Sequence, residues 1–321
     1  METILDWGMR AILWLQRLSP TLDNPFKAIS LTGSEKFYLL FMPALYWCLD
    51  TSLGLRTALI LMFSAGLNNA LHFGFRAPRP FWLSQEVKAL DPYPTFGFPS
   101  GHAQNAVSFG GLLAQAQRRR WVGVLAVAWM FLIGLSRVYL AAHFPTDVLV
   151  GWLVGAVVLW AFLRWEAPVT RWLKKRSAVE QMLAGFLTSL CLLVPNVLAM
   201  WILRNWQMPT AWATNILAHT GKVPNPLASS DALEGAGIVF GLAAGIVWLA
   251  RVGGWSIRGS AGQRLARYAL GMAGLLLLWF GGGKLFPEQA SLLYLRSVLI
   301  GLWVSAGAPA LFLHLKMAER P

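Results

Sequence analysis

The sequence predicts an all-α fold, a polytopic integral membrane helical bundle, and three observations carry that prediction. Of the 321 residues 56% are hydrophobic and only 13% are charged, with 17 Trp and 18 Phe, which is too little polar surface to cover a soluble globule of this size. Apolar runs close to the roughly 20 residues that a helix needs to cross a bilayer recur from Phe37 to the end of the chain. The stretches of about ten residues with alternating polarity that a membrane barrel would need are absent. Helices also pair every backbone group within their own segment, as hydrocarbon demands.

Taken in order, Ile4 to Leu18 is apolar but carries Asp6, Arg10 and Arg17 on one helical face, the pattern of a helix lying in the membrane interface. Thr21 to Glu35 reads as an irregular lead-in, with Asn24 and Pro25 inside it. Phe37 to Leu49, with Pro43, is the first predicted span, and Leu55 to Phe75 the second, joined by a turn over Asp50 to Gly54. Arg76 to Pro99 is a loop: five prolines oppose a helix, and Phe81, Trp82, Tyr93, Phe96 and Phe98 suit the headgroup layer. Further spans are predicted over His102 to Gln117, Trp121 to Tyr139 and Asp147 to Leu163, followed by a basic connector from Arg164 to Arg176. Four more follow: Met182 to Leu203, kinked at Pro195, then Leu233 to Ala250, Ala266 to Phe286 and Leu292 to Leu315. The Gly281 to Gly283 run before Lys284 reads as a loosened helix end, and Gly151 and Gly155 as a close helix contact.

The net charge of +13 is scattered over span ends rather than gathered on one face, so anionic membrane lipids, not nucleic acid, are the expected partners. Cys48 and Cys191 both lie in apolar runs and read as small buried hydrophobes. No cleavable leader is expected, the spans themselves serving as insertion signal. Lys and Arg concentrate on one side of the span map: Arg56, Arg118 to Arg120, the five from Arg164 to Arg176, the four from Arg251 to Arg267, then Lys316 and Arg320. That side is expected to be cytoplasmic, which puts the His72 to His102 and Arg137 to Asp147 loops on the extracytoplasmic face. A bacterial inner (plasma) membrane is the expected setting.

Nearly all residues capable of chemistry lie in or just before Pro99 to Asp147. Ser100-Gly101-His102 follows a proline at a predicted helix start, where free backbone N–H groups and the positive end of the helix dipole favour a phosphate and glycine permits close approach. His143 and Asp147 stand one helical turn apart, a separation at which a carboxylate can hold an imidazole N–H and fix its tautomer. Pro145 falls in the first turn, where proline is tolerated.

These patterns resemble the type 2 phosphatidic acid phosphatase family, the membrane branch of the superfamily that includes vanadium haloperoxidases and bacterial acid phosphatases. Its three motifs are lysine, six residues, Arg-Pro; then Pro-Ser-Gly-His; then Ser-Arg, five residues, His, three residues, Asp. Arg79-Pro80 matches the end of the first, Pro99 to His102 the second, and Ser136, Arg137, His143 and Asp147 the third, in the family's order and within roughly Ser34 to Trp165. One position departs, since His72 stands where the family has lysine, which costs the phosphate cradle a permanent positive charge near neutral pH. Arg76 or Lys88 are candidates to replace it.

The resemblance implies that His143 attacks phosphorus to form a phosphohistidine, with Asp147 orienting it, and that His102 protonates the leaving oxygen and then activates water. Arg79, Arg137, Ser100, Gly101 and His72 would bind the phosphate. No cofactor and no metal is implied. The expected substrate is a lipid phosphate monoester or pyrophosphate; alternatives are a lipid phosphotransferase using the same intermediate and a non-catalytic lipid-binding protein. Residues 1–34 are expected to form an interfacial helix and lead-in segment, 35–166 the catalytic transmembrane core, and 167–321 an extension of transmembrane helices that could shape a lipid groove or form a homodimer interface.

Overall fold

The computed structural model describes residues 2–227, 230–281 and 289–321, all helical or irregular apart from a single bridge between Ser256 and Glu319. Two compact units divide the chain: one is Met1–Tyr38, Leu67–Ala161 and Val197–Ala228, the other Leu39–Gly66, Phe162–Asn196 and Ser229–Pro321. Among the described residues six helical stretches are long and apolar enough to cross a membrane, at Thr51–Leu83, Arg120–Tyr139, Pro145–Lys174, Ala178–Ile202, Ser230–Arg251 and Ala290–His314. The chain is an integral membrane protein.

The first unit begins with α1 (Glu2–Leu15) and a 3-10 turn over Gln16–Leu18. Its outer face shows Trp7, Arg10, Trp14 and Arg17, as an interfacial helix would, while Gly8, Ile12 and Gln16 are buried. A Cβ on Gly8 would lie 2.8 Å from the Phe144 ring, and Gln16 Nε2 donates to the carbonyls of Tyr139 at 2.9 Å and Lys88 at 2.8 Å. The N-terminal helix is therefore packed on the loops that carry the motif residues.

The expected irregular lead-in is instead α2 (Asp23–Leu31), because Asn24-Pro25 falls in the first turn, where the missing N–H of proline costs nothing and Asp23 suits the dipole. After α3 (Glu35–Ala44), Pro43 is followed by a widened π turn over Leu45–Leu49. Within the predicted proline loop, Pro80 opens one helical turn, α5 (Pro80–Leu83), after α4 (Thr51–Phe75). Next come α6 (Gly101–Gln117), α7 (Arg120–Tyr139) and α8 (Pro145–Lys174). The Arg164 to Arg176 connector is thus helical as far as Lys174.

In α8, Gly151 and Gly155 face α6: a Cβ would come within 2.6 Å of the Ser100 carbonyl oxygen and 2.4 Å of that of Gln104. Leu149, Leu153, Val157 and Trp160 form the exposed apolar stripe of the same helix, suited to lipid. After α9 (Ala178–Ile202) the chain forms α10 (Thr210–Thr220), which the sequence did not predict. Trp206 stacks edge-on against Phe96 at 5.3 Å, and Asn215 Nδ2 donates to the Trp82 carbonyl at 3.0 Å. The core of this unit joins Ile12, Phe81, Trp82, Phe96, Phe144 and Ile216.

The second unit contains α11 (Ser230–Arg251), α12 (Ala261–Leu276) with a π turn to Gly281, α13 (Ala290–Leu302), a π turn over Trp303–Gly307, and α14 (Ala308–His314). The end of the predicted Ala266 to Phe286 span and the Gly282 to Lys284 part of the glycine run lie outside the described residues. Gly237 and Gly241 of α11 lie against the backbone of α13, within 2.6 Å of the Tyr294 and 2.2 Å of the Val298 carbonyl for an added Cβ, a small-residue contact of the kind that membrane helices use. Its core gathers Trp47, Trp255, Met272, Ile300 and Phe312. Glu35–Leu49 and Gly101–Gln117, two segments within which spans were predicted, are too short to count among the six, and Ala261–Gly281 is not among them in its described part.

Candidate active site

The cluster lies wholly in the first unit and begins where α6 starts. Ser100 is the N-cap of α6, its side chain accepting from the Ala103 N–H at 3.5 Å, while its own N–H donates to the Asp147 carbonyl at 2.9 Å. A Cβ at 101 would sit 2.9 Å from Asn68 Oδ1, so glycine lets the start of α6 pack closely on α4. Asn68 and His72, one turn apart on α4, both reach the Pro99 carbonyl, through Nδ2 at 3.1 Å and Nε2 at 2.9 Å, and Asn68 also donates to Gln104 Oε1 at 3.0 Å. The contact that the structure gives His72 is thus with the backbone of the motif turn. Of the proposed replacements for its charge, Arg76 is exposed, and the exposed Lys88 donates to Ser19 Oγ at 3.1 Å.

His143 sits in the short turn between α7 and α8 and is 2% exposed. Its Nδ1 lies 2.7 Å from the Gly97 carbonyl and its Nε2 lies 3.2 Å from Arg79 Nη1. A carbonyl can only accept and a guanidinium can only donate, so the partners assign the proton to Nδ1 and the lone pair to Nε2. Asp147, expected to hold that Nδ1, does not supply the bond. Its Oδ2 stands 3.6 Å from Nδ1 and accepts the Phe144 N–H at 2.8 Å, so the carboxylate is engaged at the start of α8 and acts on the imidazole through charge. Burial first, then the nearby Arg79 and Arg137 guanidiniums, push the pKa of His143 well below the ordinary histidine value.

The two arginines differ. Arg79, 2% exposed, spends Nε on the Thr95 carbonyl at 2.6 Å, Nη1 on the Ala142 carbonyl at 2.9 Å and on His143, and Nη2 on Thr95 Oγ1 and the Phe96 carbonyl, each at 2.9 Å. Every one of its five N–H groups has an acceptor. Arg137, fully buried, donates from Nη1 to Ser30 Oγ and to Asp91 Oδ2, the latter at 2.6 Å, while its Nε and Nη2 have no acceptor among the described residues. The Tyr93 ring lies against both, 5.4 Å from Arg79 Cζ and 5.0 Å from Arg137 Cζ, and meets the His102 ring edge-on at 5.6 Å. Burial raises the pKa of the Tyr93 phenol, with Arg137 opposing.

His102 Nε2 is also buried without a partner among the described residues. His102, Arg79, Arg137 and His143 are thus brought to one place around Tyr93, with Ser100, Gly101 and Asp147 joined to it through the start of α6. Of this cluster Gly101, His102 and Tyr93, and beside them Asp91, keep part of their surface exposed, which makes their side the approach. Ser30, Asn68, Asp91, Thr95 and Gln104 were not singled out by the sequence, and Tyr93 was read only as a headgroup-layer aromatic; among them Asn68, a polar residue one turn before His72 in an apolar span, left a readable signal. Among the described residues no three His, Cys, Asp or Glu side chains are grouped to hold a metal.

A buried guanidinium edge and the imidazoles of His102 and His143, gathered around Tyr93 and Arg79 beside the start of α6, offer the kinds of donor and lone pair that phosphate chemistry uses. Residues 53–171 match the PAP2 superfamily, and residues 233–320 match the transmembrane extension of PAP2 superfamily phosphatases. The chain belongs to the PAP2 superfamily and is a membrane phosphatase of it. Glucose-6-phosphatase 3 of Bos taurus is 29% identical over 335 residues, covering 93% of this chain and 91% of that protein. The undecaprenyl-diphosphatase of Sulfolobus acidocaldarius is 37% identical over 106 residues, 33% of this chain and 48% of that one. The crystal structure of a transmembrane PAP2 type phosphatidylglycerolphosphate phosphatase from Bacillus subtilis is 23% identical, with a TM-score of 0.44, covering 53% of this chain and 89% of that chain.

Proposed function

We propose that this protein hydrolyses a lipid phosphate monoester or pyrophosphate through a phosphohistidine, without a metal. The observation that carries this reading is the hydrogen bonding of His143: Nδ1 faces the Gly97 carbonyl at 2.7 Å, which leaves the Nε2 lone pair 3.2 Å from Arg79 Nη1, and Arg137 lies against the same Tyr93 ring as Arg79. In the first step Nε2 bonds to phosphorus as the P–O bond to the leaving group breaks, and His102 gives that oxygen its proton. In the second, His102 takes a proton from water, whose oxygen displaces Nε2 and releases inorganic phosphate. Arg137 grips two nonbridging oxygens with Nε and Nη2, and Arg79 turns its Nη1 hydrogen from Nε2 to a third as the lone pair is used. Phosphoryl transfer gains most from such positioning and charge stabilisation, work that a covalent histidine and fixed arginines perform between them. Asp147 stabilises the imidazolium at close range.

An approach beside Tyr93 and His102, in the proline- and aromatic-rich loop, lets a headgroup enter while its tail stays in lipid. The Lys and Arg asymmetry of the span ends supports an approach from the extracytoplasmic side of the membrane. A second reading, a soluble sugar phosphate as substrate, is favoured by the similarity to a glucose-6-phosphatase along almost the whole chain. The test is a phosphate-release screen in detergent with chelator, comparing phosphatidic acid, phosphatidylglycerol phosphate, undecaprenyl pyrophosphate and glucose 6-phosphate. Release from the lipids above that from the sugar is expected. His143→Ala should abolish release with the fold intact, and comparable turnover by that variant refutes the mechanism.

A further inference from the structure

We propose that Asp91 is a positioning residue for the phosphate site: together with Ser30 it holds Arg137 by Nη1 and so aims the guanidinium's other edge at the substrate. The inference rests on the phosphatase reading above. Arg137 is fully buried, and its Nη1 is taken by two acceptors from different elements, Ser30 Oγ on α2 and Asp91 Oδ2 in the loop at 2.6 Å. A planar group fixed at one terminal nitrogen by two acceptors has its plane and its roll both set. The nitrogens left without an acceptor, Nε and Nη2, share one edge, and their parallel N–H bonds match two oxygens of a phosphate.

The geometry also separates this role from its opposite. An anion that competes with substrate would take the Nε and Nη2 edge, and Asp91 leaves that edge open. Tyr93, two residues on and flanked by Pro92 and Pro94, lies with its ring against both guanidiniums, and proline on either side limits the backbone of this segment. The Asp91 side chain keeps 34% of its surface exposed, so solvent screens part of its charge and its loss weakens the site rather than abolishing it.

The full-length protein in detergent is measured with Asp91→Ala, Asp91→Asn and Asp91→Glu, by steady-state phosphate release from a short-chain phosphatidic acid and by calorimetric binding of inorganic phosphate. Asp91→Ala is expected to raise KM and the phosphate Kd about tenfold with a much smaller change in kcat, and Asp91→Glu to recover most of the loss. Asp91→Asn, which keeps an oxygen acceptor without the charge, should fall between them and stands in if the alanine variant does not fold. An unchanged KM, a lowered KM, or a loss confined to kcat and thermal stability overturns the proposal. If the wild type releases no phosphate from any substrate, the phosphatase reading falls by itself, and the two phosphate Kd values still decide the role of Asp91.

Discussion

Replacing Arg137 separates its charge from its shape. Its open edge offers one hydrogen on Nε and two on Nη2, which allows two parallel charge-assisted bonds to phosphate oxygens. At about 1.5–3 kcal/mol for each bond to a charged group, Arg137→Ala should cost ~3–6 kcal/mol of transition-state stabilisation. That is roughly two to four orders of magnitude in kcat/KM. Arg137→Lys keeps the charge but offers a single point contact, so its loss should be roughly tenfold to a hundredfold. The comparison with Arg79 is the control from the structure. All five of its donors are bound by Thr95, Phe96, Ala142 and His143, so Arg79→Lys should also lower thermal stability by leaving carbonyls unpaired. The assay is kcat/KM for phosphate release at equal folded fraction, with unfolding followed in the same detergent. Arg137→Lys and Arg137→Ala both within threefold of wild type would refute the assignment of that edge to phosphate.

The other predictions concern pH and packing. Because burial and the two guanidiniums lower the pKa of His143, its neutral, attacking form persists below the ordinary histidine value of about 6.5. The acid limb of kcat/KM in the free enzyme should therefore lie below that value, and a limb at or above it would contradict the assignment. The same shift has a stability sign: the unfolded chain takes up the proton first, so the contribution of His143 to stability is present above about pH 6.5 and is lost as pH falls below it. Denaturant midpoints between pH 5 and 8 measure this. Gly155→Ala would set a Cβ 2.4 Å from the Gln104 carbonyl oxygen, backbone that cannot swing aside, and should destabilise by about 1–3 kcal/mol; an unchanged melting temperature would show that α6 and α8 have room to part.

Much of the architecture could be read from residue order because hydrocarbon imposes a single rule, paired backbone in apolar helices, on every span. The elements missed are those where proline acts by position rather than by presence. Pro25 and Pro80 open helices from their first turns, and Pro168 lies inside α8 without ending it. α10 was missed because its rings serve contacts to Phe81 and Trp82, distant in the sequence, rather than a face of its own. The motif histidines and arginines were legible because their spacing repeats a known pattern. Their partners were not: Arg79 is satisfied largely by main-chain carbonyls, which carry no letter in the sequence. The grip on Arg137 depends on Ser30 and Asp91, drawn together from positions that local spacing does not connect. His72 shows the same limit, since a substituted motif position signals an altered cradle, but not that its ring holds the Pro99 carbonyl.

The bond from His143 to Gly97 has a consequence for how such a protein can change over generations. An oxygen that belongs to the peptide link survives any codon change at its own position, so no point substitution can delete the acceptor that chooses the imidazole's protonation pattern. Asp147 is correspondingly released to serve the helix start. Loss of attack geometry through that contact would have to come from displacement of the main chain around Gly97, whose N–H is itself tied to Ala77 and where a Cβ would press on the Pro78 carbonyl at 3.0 Å.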